Sequence, residues 1–104
     1  MIIEYTRYRI PVGDAEVFES AYARAAVPLA SAPQCVDYEL TRCDDDPESY
    51  VLRITWTSAA DHLTGFRSSP AFRAFFAEIK PYVAAIQEMR HYTRTAVAGR
   101  GAAA

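Results

Sequence analysis

Two alternating runs, CVDYELTR at 35–42 and YVLRITWT at 50–57, stand either side of Asp44-Asp45-Asp46-Pro47-Glu48-Ser49. Successive side chains of a strand point to opposite faces, so Val36, Tyr38 and Leu40 share one face of the first run, against Asp37, Glu39 and Thr41. In the second run Tyr50, Leu52, Ile54 and Trp56 stand against Val51, Arg53, Thr55 and Thr57. The Asp-Pro-Ser cluster between them is a turn signal, and the two runs form a hairpin with one buried face. The three adjacent aspartates lack the glycine and closing glutamate of a calcium loop, so they belong to a solvated turn.

The rest of the chain falls around this hairpin. Residues 2–10, IIEYTRYRI, read as a strand ending at Pro11, with Ile2, Glu4, Thr6, Tyr8 and Ile10 on one face. A helix follows, capped by Asp14, with Ala15, Phe18, Tyr22, Ala25, Ala26 and Leu29 on one stripe; Pro28 should bend or end it near its last turn. After the hairpin, Ser58-Ala59-Ala60-Asp61 has the spacing of a helix cap, and Gly65 is the expected end of that short helix. Ser69-Pro70 opens another, with Phe72, Phe75, Phe76, Ile79 and Val83 along one side. Residues 86–95, IQEMRHYTRT, form a less regular fourth strand whose buried face the pattern does not assign.

The order β-α-β-β-α-β predicts an α+β, ferredoxin-like fold, an antiparallel four-stranded sheet with helices on one face. The opposite face would carry Tyr5, Arg7, Asp37, Glu39, Arg53 and Thr55, too aromatic and β-branched for plain solvent exposure. Such a face is expected to pair with a second copy, giving a homodimer. At 104 residues the chain supports one domain, here 1–97, followed by a tail at 98–104 of frayed composition.

Eleven Lys+Arg against 13 Asp+Glu give no basic excess, so neither nucleic acid nor a membrane surface is an expected partner. No apolar stretch approaches the roughly 20 residues of a membrane span, and the start has no signal-peptide pattern, so a cytoplasmic location is expected. Cys35 and Cys43 would lie roughly 26 Å apart on an extended strand, so both are expected as free thiols. No C-x-x-C, H-E-x-x-H, G-x-S-x-G or phosphate-binding glycine loop occurs, and no metal site is expected from such spacings.

The stretch Ile54-Thr55-Trp56-Thr57-Ser58, then Ala59-Ala60-Asp61-His62, then Gly65-Phe66-Arg67-Ser68-Ser69-Pro70-Ala71-Phe72 resembles the antibiotic biosynthesis monooxygenase family of the dimeric α+β barrel superfamily. The resemblance covers roughly residues 2–95 and implies a dimer closing into an α+β barrel. Family members that oxidise polyketide phenols to quinones without metal or flavin use an Asn four residues before the Trp and a Tyr six after it. Here the Trp is Trp56, the Asn position holds Leu52 and the Tyr position holds His62. The related heme-degrading group uses an Asn, a Trp and a His at positions that fall on Thr6, Gly65 and Phe76, and none matches.

The resemblance therefore implies a cofactor-independent monooxygenase acting on an aromatic phenol, quinol or polyketide-type molecule with O2; heme and a delivered flavin stay open as cofactors. Trp56 and His62 are the candidate catalytic residues. His62 lies about one turn into a helix capped by Ser58, where the dipole lowers its pKa and a neutral imidazole can take a phenolic proton. Thr6, Tyr8, Tyr22, Tyr38, Leu52, Phe66 and Phe76 are the expected substrate-binding wall, apolar rings with a few hydroxyls. The alternative is a non-catalytic, dimeric small-molecule-binding or accessory domain, since Leu52 offers no hydrogen bond to oxygen.

Overall fold

The computed structural model describes residues 1–103; the expected tail runs to Ala104, which lies outside them. Strands β1 (Ile2–Arg9), β2 (Cys35–Arg42), β3 (Ser49–Trp56) and β4 (Ile86–Thr93) form one antiparallel sheet in the order β2-β3-β1-β4. Helices α1 (Ala15–Ser31) and α2 (Pro70–Ile79) pack against each other on one face. This is the ferredoxin-like α+β arrangement. A short π-helix, Asp61–Phe66, links β3 to α2, and single 3-10 stretches occupy Val12–Asp14 and Lys80–Ala85.

The alternation in β1 and β3 translates directly into burial. Glu4, Thr6 and Tyr8 of β1 and Tyr50, Leu52, Ile54 and Trp56 of β3 are all buried beneath the helices. Phe18 of α1 sits at the centre of that layer, edge-on to Tyr8, Tyr22, Tyr50 and Tyr82. Each such ring contributes about 1.5–3 kcal/mol through burial, with a smaller gain from edge-to-face geometry.

Three local expectations change. The Asp14 side chain makes no capping hydrogen bond; Val12–Asp14 forms a 3-10 turn in which the Asp14 N–H bonds the Pro11 carbonyl at 2.8 Å. Pro28 lies inside α1, and the helix runs on to Ser31 because Leu29 and Ala32 are buried in the core and hold the last turn in place. Gly65 does not end the short helix, which continues through Phe66. A Cβ at Gly65 would meet the Gln34 side chain at 3.2–3.5 Å, so the glycine serves that close approach.

Strand β4 explains its own ambiguous pattern. Its register against β1 shifts between Arg7 and Tyr8: Arg7 faces Glu88, whereas Tyr8 faces Ile86. Ile86 lies opposite inward-facing Tyr8, while beyond the bulge Met89 and His91 lie opposite inward-facing Thr6 and Glu4. Even positions face inward before the irregularity and odd ones after it, so no single period describes the strand.

Candidate active site

Local geometry brings His62 inward. The Asp61 N–H donates to Ser58 Oγ at 3.0 Å, so the expected Ser cap forms, and the His62 N–H reaches the Ser58 carbonyl at 3.2 Å. The Arg67 N–H then bonds the His62 carbonyl at 3.2 Å, five residues back, which widens the turn into a π-helix. His62 and Phe66 are the two residues of this helix that are buried. Asp61 accepts from the Thr57 hydroxyl and takes no part in holding His62.

The His62 ring stacks on Trp56 with centroids 4.4 Å apart and planes 9° from parallel. Its Nδ1 lies 2.7 Å from His91 Nε2, and its Nε2 lies 3.3 Å from Glu4 Oε1. The Trp56 Nε1–H donates to the same Glu4 oxygen at 2.9 Å, and the Thr6 hydroxyl donates to Glu4 Oε2 at 2.8 Å. Glu4, Thr6, Trp56 and His62 are all buried, whereas His91 is exposed on the edge strand β4. A line of close polar contacts thus runs from a buried carboxylate past one imidazole, which is hydrogen-bonded in turn to a second imidazole at the surface.

His62 is held at about 4, well below the ordinary histidine value, chiefly by burial; the nearby charge of Glu4 pulls the other way, and Arg67 and His91 add to the lowering. The imidazole is therefore neutral at pH 7, and desolvation does what the sequence reading assigned to the helix dipole. Among the described residues no Lys or Arg nitrogen lies within 4.0 Å of the Glu4 carboxylate. A buried carboxylate held by neutral donors alone is costly and calls for a functional reason.

The cluster forms one wall of a cavity of about 270 Å³ between sheet and helices. Thr6, Tyr8, Tyr22, Leu52, Trp56, His62, Phe66 and Phe76 all line it. Glu4, Arg67 and Met89, which the sequence reading did not select, line it too. Tyr38 lies elsewhere: β2 is the far edge of the sheet, and Tyr38 lines a separate groove with Leu40, Ala23 and Leu29. Glu4 was legible as a charged residue on the buried face of the first strand. His91 was hidden by the bulge in β4.

Elsewhere on the cavity wall, the Tyr8 and Tyr22 hydroxyls hydrogen-bond each other. Burial pushes Tyr8 up to about 12 and Tyr22 higher still, so both remain neutral phenols. The cavity is largely apolar, with the Glu4, Thr6 and His62 cluster, the hydroxyl pair and Arg67 as its polar features. Cys35 and Cys43 are free thiols and neither lines it.

Several known proteins are similar to this one in sequence or in structure. A curated relative, the uncharacterized protein YczJ of Bacillus subtilis, is 24% identical over 92 residues, spanning 88% of this chain and 97% of its own. SnoaB, a cofactor-independent oxygenase from Streptomyces nogalater solved as a mutant, superposes with a TM-score of 0.72 at 26% identity, covering 89% of this chain and 91% of its own. A conserved protein from Methanosarcina mazei gives 0.75 at 13% identity, covering 90% and 92%, and there the likeness is one of fold alone. Residues 1–78, which carry the first three strands, the π-helix and most of α2, match the family described as antibiotic biosynthesis monooxygenase. That match spans most of the chain, including Glu4, Trp56 and His62, and the protein belongs to the antibiotic biosynthesis monooxygenase family.

Proposed function

We propose that the chain is a homodimeric, cofactor-independent monooxygenase that oxidises a small phenol- or quinol-type aromatic with O2 in the cavity walled by Trp56 and His62. The observation that carries this reading is the neutral, buried His62 between Glu4 and surface-exposed His91. SnoaB, a cofactor-independent oxygenase, supports it as a relative of matching fold.

An electron-rich phenol needs to lose its hydroxyl proton before it can reduce oxygen. With a pKa of about 4, His62 is a weak base acting alone, so the proton is passed on. A proton taken at Nε2 releases the one on Nδ1 to His91 Nε2, and His91 returns it to water. Glu4, fixed by Thr6 and Trp56, stabilises the imidazolium character that develops in transit. The phenolate then gives electrons to O2; a ring C–H carbon becomes a carbonyl carbon, one oxygen atom enters the product, and the other leaves as water, taking up that ring hydrogen and the proton released to solvent. The hydrophobic walls hold substrate and oxygen together and exclude solvent.

The outer sheet face supports the dimer. Tyr5 and Tyr92 pack edge-on there at 5.3 Å yet stay 37% and 46% exposed, an apolar surface suited to a second copy. Light scattering at micromolar concentration is expected to report about twice the 11.6 kDa chain mass, and a single 11.6 kDa species would refute the dimer.

One observation favours a second reading. Leu52 is buried at the cavity wall and offers no donor to oxygen or to a developing anion, which suits a binding domain without turnover. Oxygen uptake by chelator-treated protein with a panel of dihydroxyaromatic and anthrone-like compounds separates the two. Uptake above a boiled control is the expected result; saturable binding of the same compounds without uptake would replace the oxygenase by the binding domain.

A further inference from the structure

Glu4, His62 and His91 each offer one ligand atom, and these three atoms lie within 4.8 Å of one another. We propose that they form a binding site for one divalent transition-metal ion of the Zn2+ or Fe2+ class, on the wall of the cavity. The donor set of two imidazole nitrogens and one carboxylate oxygen suits such ions and is wrong for Ca2+ or Mg2+, which take oxygen ligands. The three ligands come from β1, the π-helix and β4, so only the folded chain assembles them.

Their surroundings are those of prepared ligands. Glu4 is oriented by the Thr6 hydroxyl and the Trp56 indole, and His62 is clamped by its stack on Trp56. Such outer hydrogen bonds hold metal ligands in position. The buried carboxylate has no Lys or Arg within 4.0 Å among the described residues, and a cation supplies the missing charge. Bonds of about 2.0–2.2 Å around a tetrahedral ion place its ligand atoms about 3.3 Å apart. Glu4 and His62 already approach at 3.3 Å, and exposed His91 on the edge strand is the group able to swing inward.

The ion and the proton relay require the same lone pairs, so occupancy takes His62 away from base chemistry. The site itself rests on three side chains and holds whether or not the oxygenase reading does. Calorimetric titration of Zn2+ into the chelator-treated full-length protein near neutral pH is expected to give one ion per chain. His91→Ala, an exposed substitution that leaves the core intact, is expected to weaken binding at least about tenfold, and Glu4→Gln likewise. In the unsubstituted protein, Zn2+ should also shift the His62 and His91 ring resonances in NMR. Absence of binding, unshifted rings, or binding that His91→Ala and Glu4→Gln leave intact would each overturn the site. None of those results bears on oxygen uptake by the metal-free protein, which is read separately.

Discussion

The two faces of the sheet carry acid-base clusters of similar composition and opposite character. On the outer face Arg53 donates to Asp37, Glu39 and Thr55 at 2.7–2.9 Å, and both carboxylates are about half exposed. Hydrogen bonds from Thr55 and Arg53 hold Asp37 below the usual carboxylate range. Each carboxylate there is paired with the Arg53 guanidinium. On the inner face Glu4 is buried with a neutral imidazole, an indole and a hydroxyl. The outer cluster offsets its own charges; the inner one is an expensive arrangement that a core built for stability alone would replace with hydrocarbon. The proposed chemistry is accordingly assigned to the inner side.

Substitutions can sharpen that contrast. Trp56 is fully buried, stacks on His62 and holds Glu4, so Trp56→Ala is expected to cost about 3–5 kcal/mol in denaturant unfolding. Glu4→Ala leaves the Trp56 indole N–H buried without its acceptor, and a loss of about 2–3 kcal/mol is expected. If Glu4→Leu proved more stable than the unsubstituted protein while losing turnover, the inner cluster would be kept for chemistry at the expense of stability, which is the comparison in its strongest form.

Smaller effects bear on the charge states. His62 is held at about 4 in the fold and returns toward 6.5 when unfolded, so between these values the unfolded chain binds more protons. Stability is therefore expected to fall as pH drops from 6.5 to 4, and His62→Gln should flatten that slope in unfolding midpoints measured across the window. A slope of equal steepness in the variant would assign the pH dependence to other groups. Arg53→Ala, on the solvated face, is expected to change monomer stability by less than about 1 kcal/mol, checked at concentrations low enough to remove association. A larger loss would mean that the outer cluster is not the inexpensive one.

The sequence made the inner face readable where period and secondary structure agreed. Alternation in 2–10 and 50–57 placed Thr6, Tyr8, Leu52 and Trp56 beneath the helices, and the Ser58 cap located His62 near the start of its helix. Tyr38 obeyed the same alternation but sits on an edge strand, where facing inward leaves a side chain beside a groove. His91 escaped because a bulge reverses the phase of β4, and Glu4 because a charge on a buried face gains meaning only once its partners from other elements are known. The lowered pKa of His62 has the expected direction for a different physical reason, burial of a ring stacked on Trp56.

The central proposal is that His62, steadied by Glu4, passes the substrate's proton on to His91. Its most direct test is the rate of oxygen uptake by chelator-treated His62→Gln beside the unsubstituted protein, with a phenolic compound that the latter turns over. A fall of about 100-fold or more, with the variant still folded and still binding the compound, is the expected result. Uptake at the unsubstituted rate would contradict the account and leave His62 as part of the cavity wall.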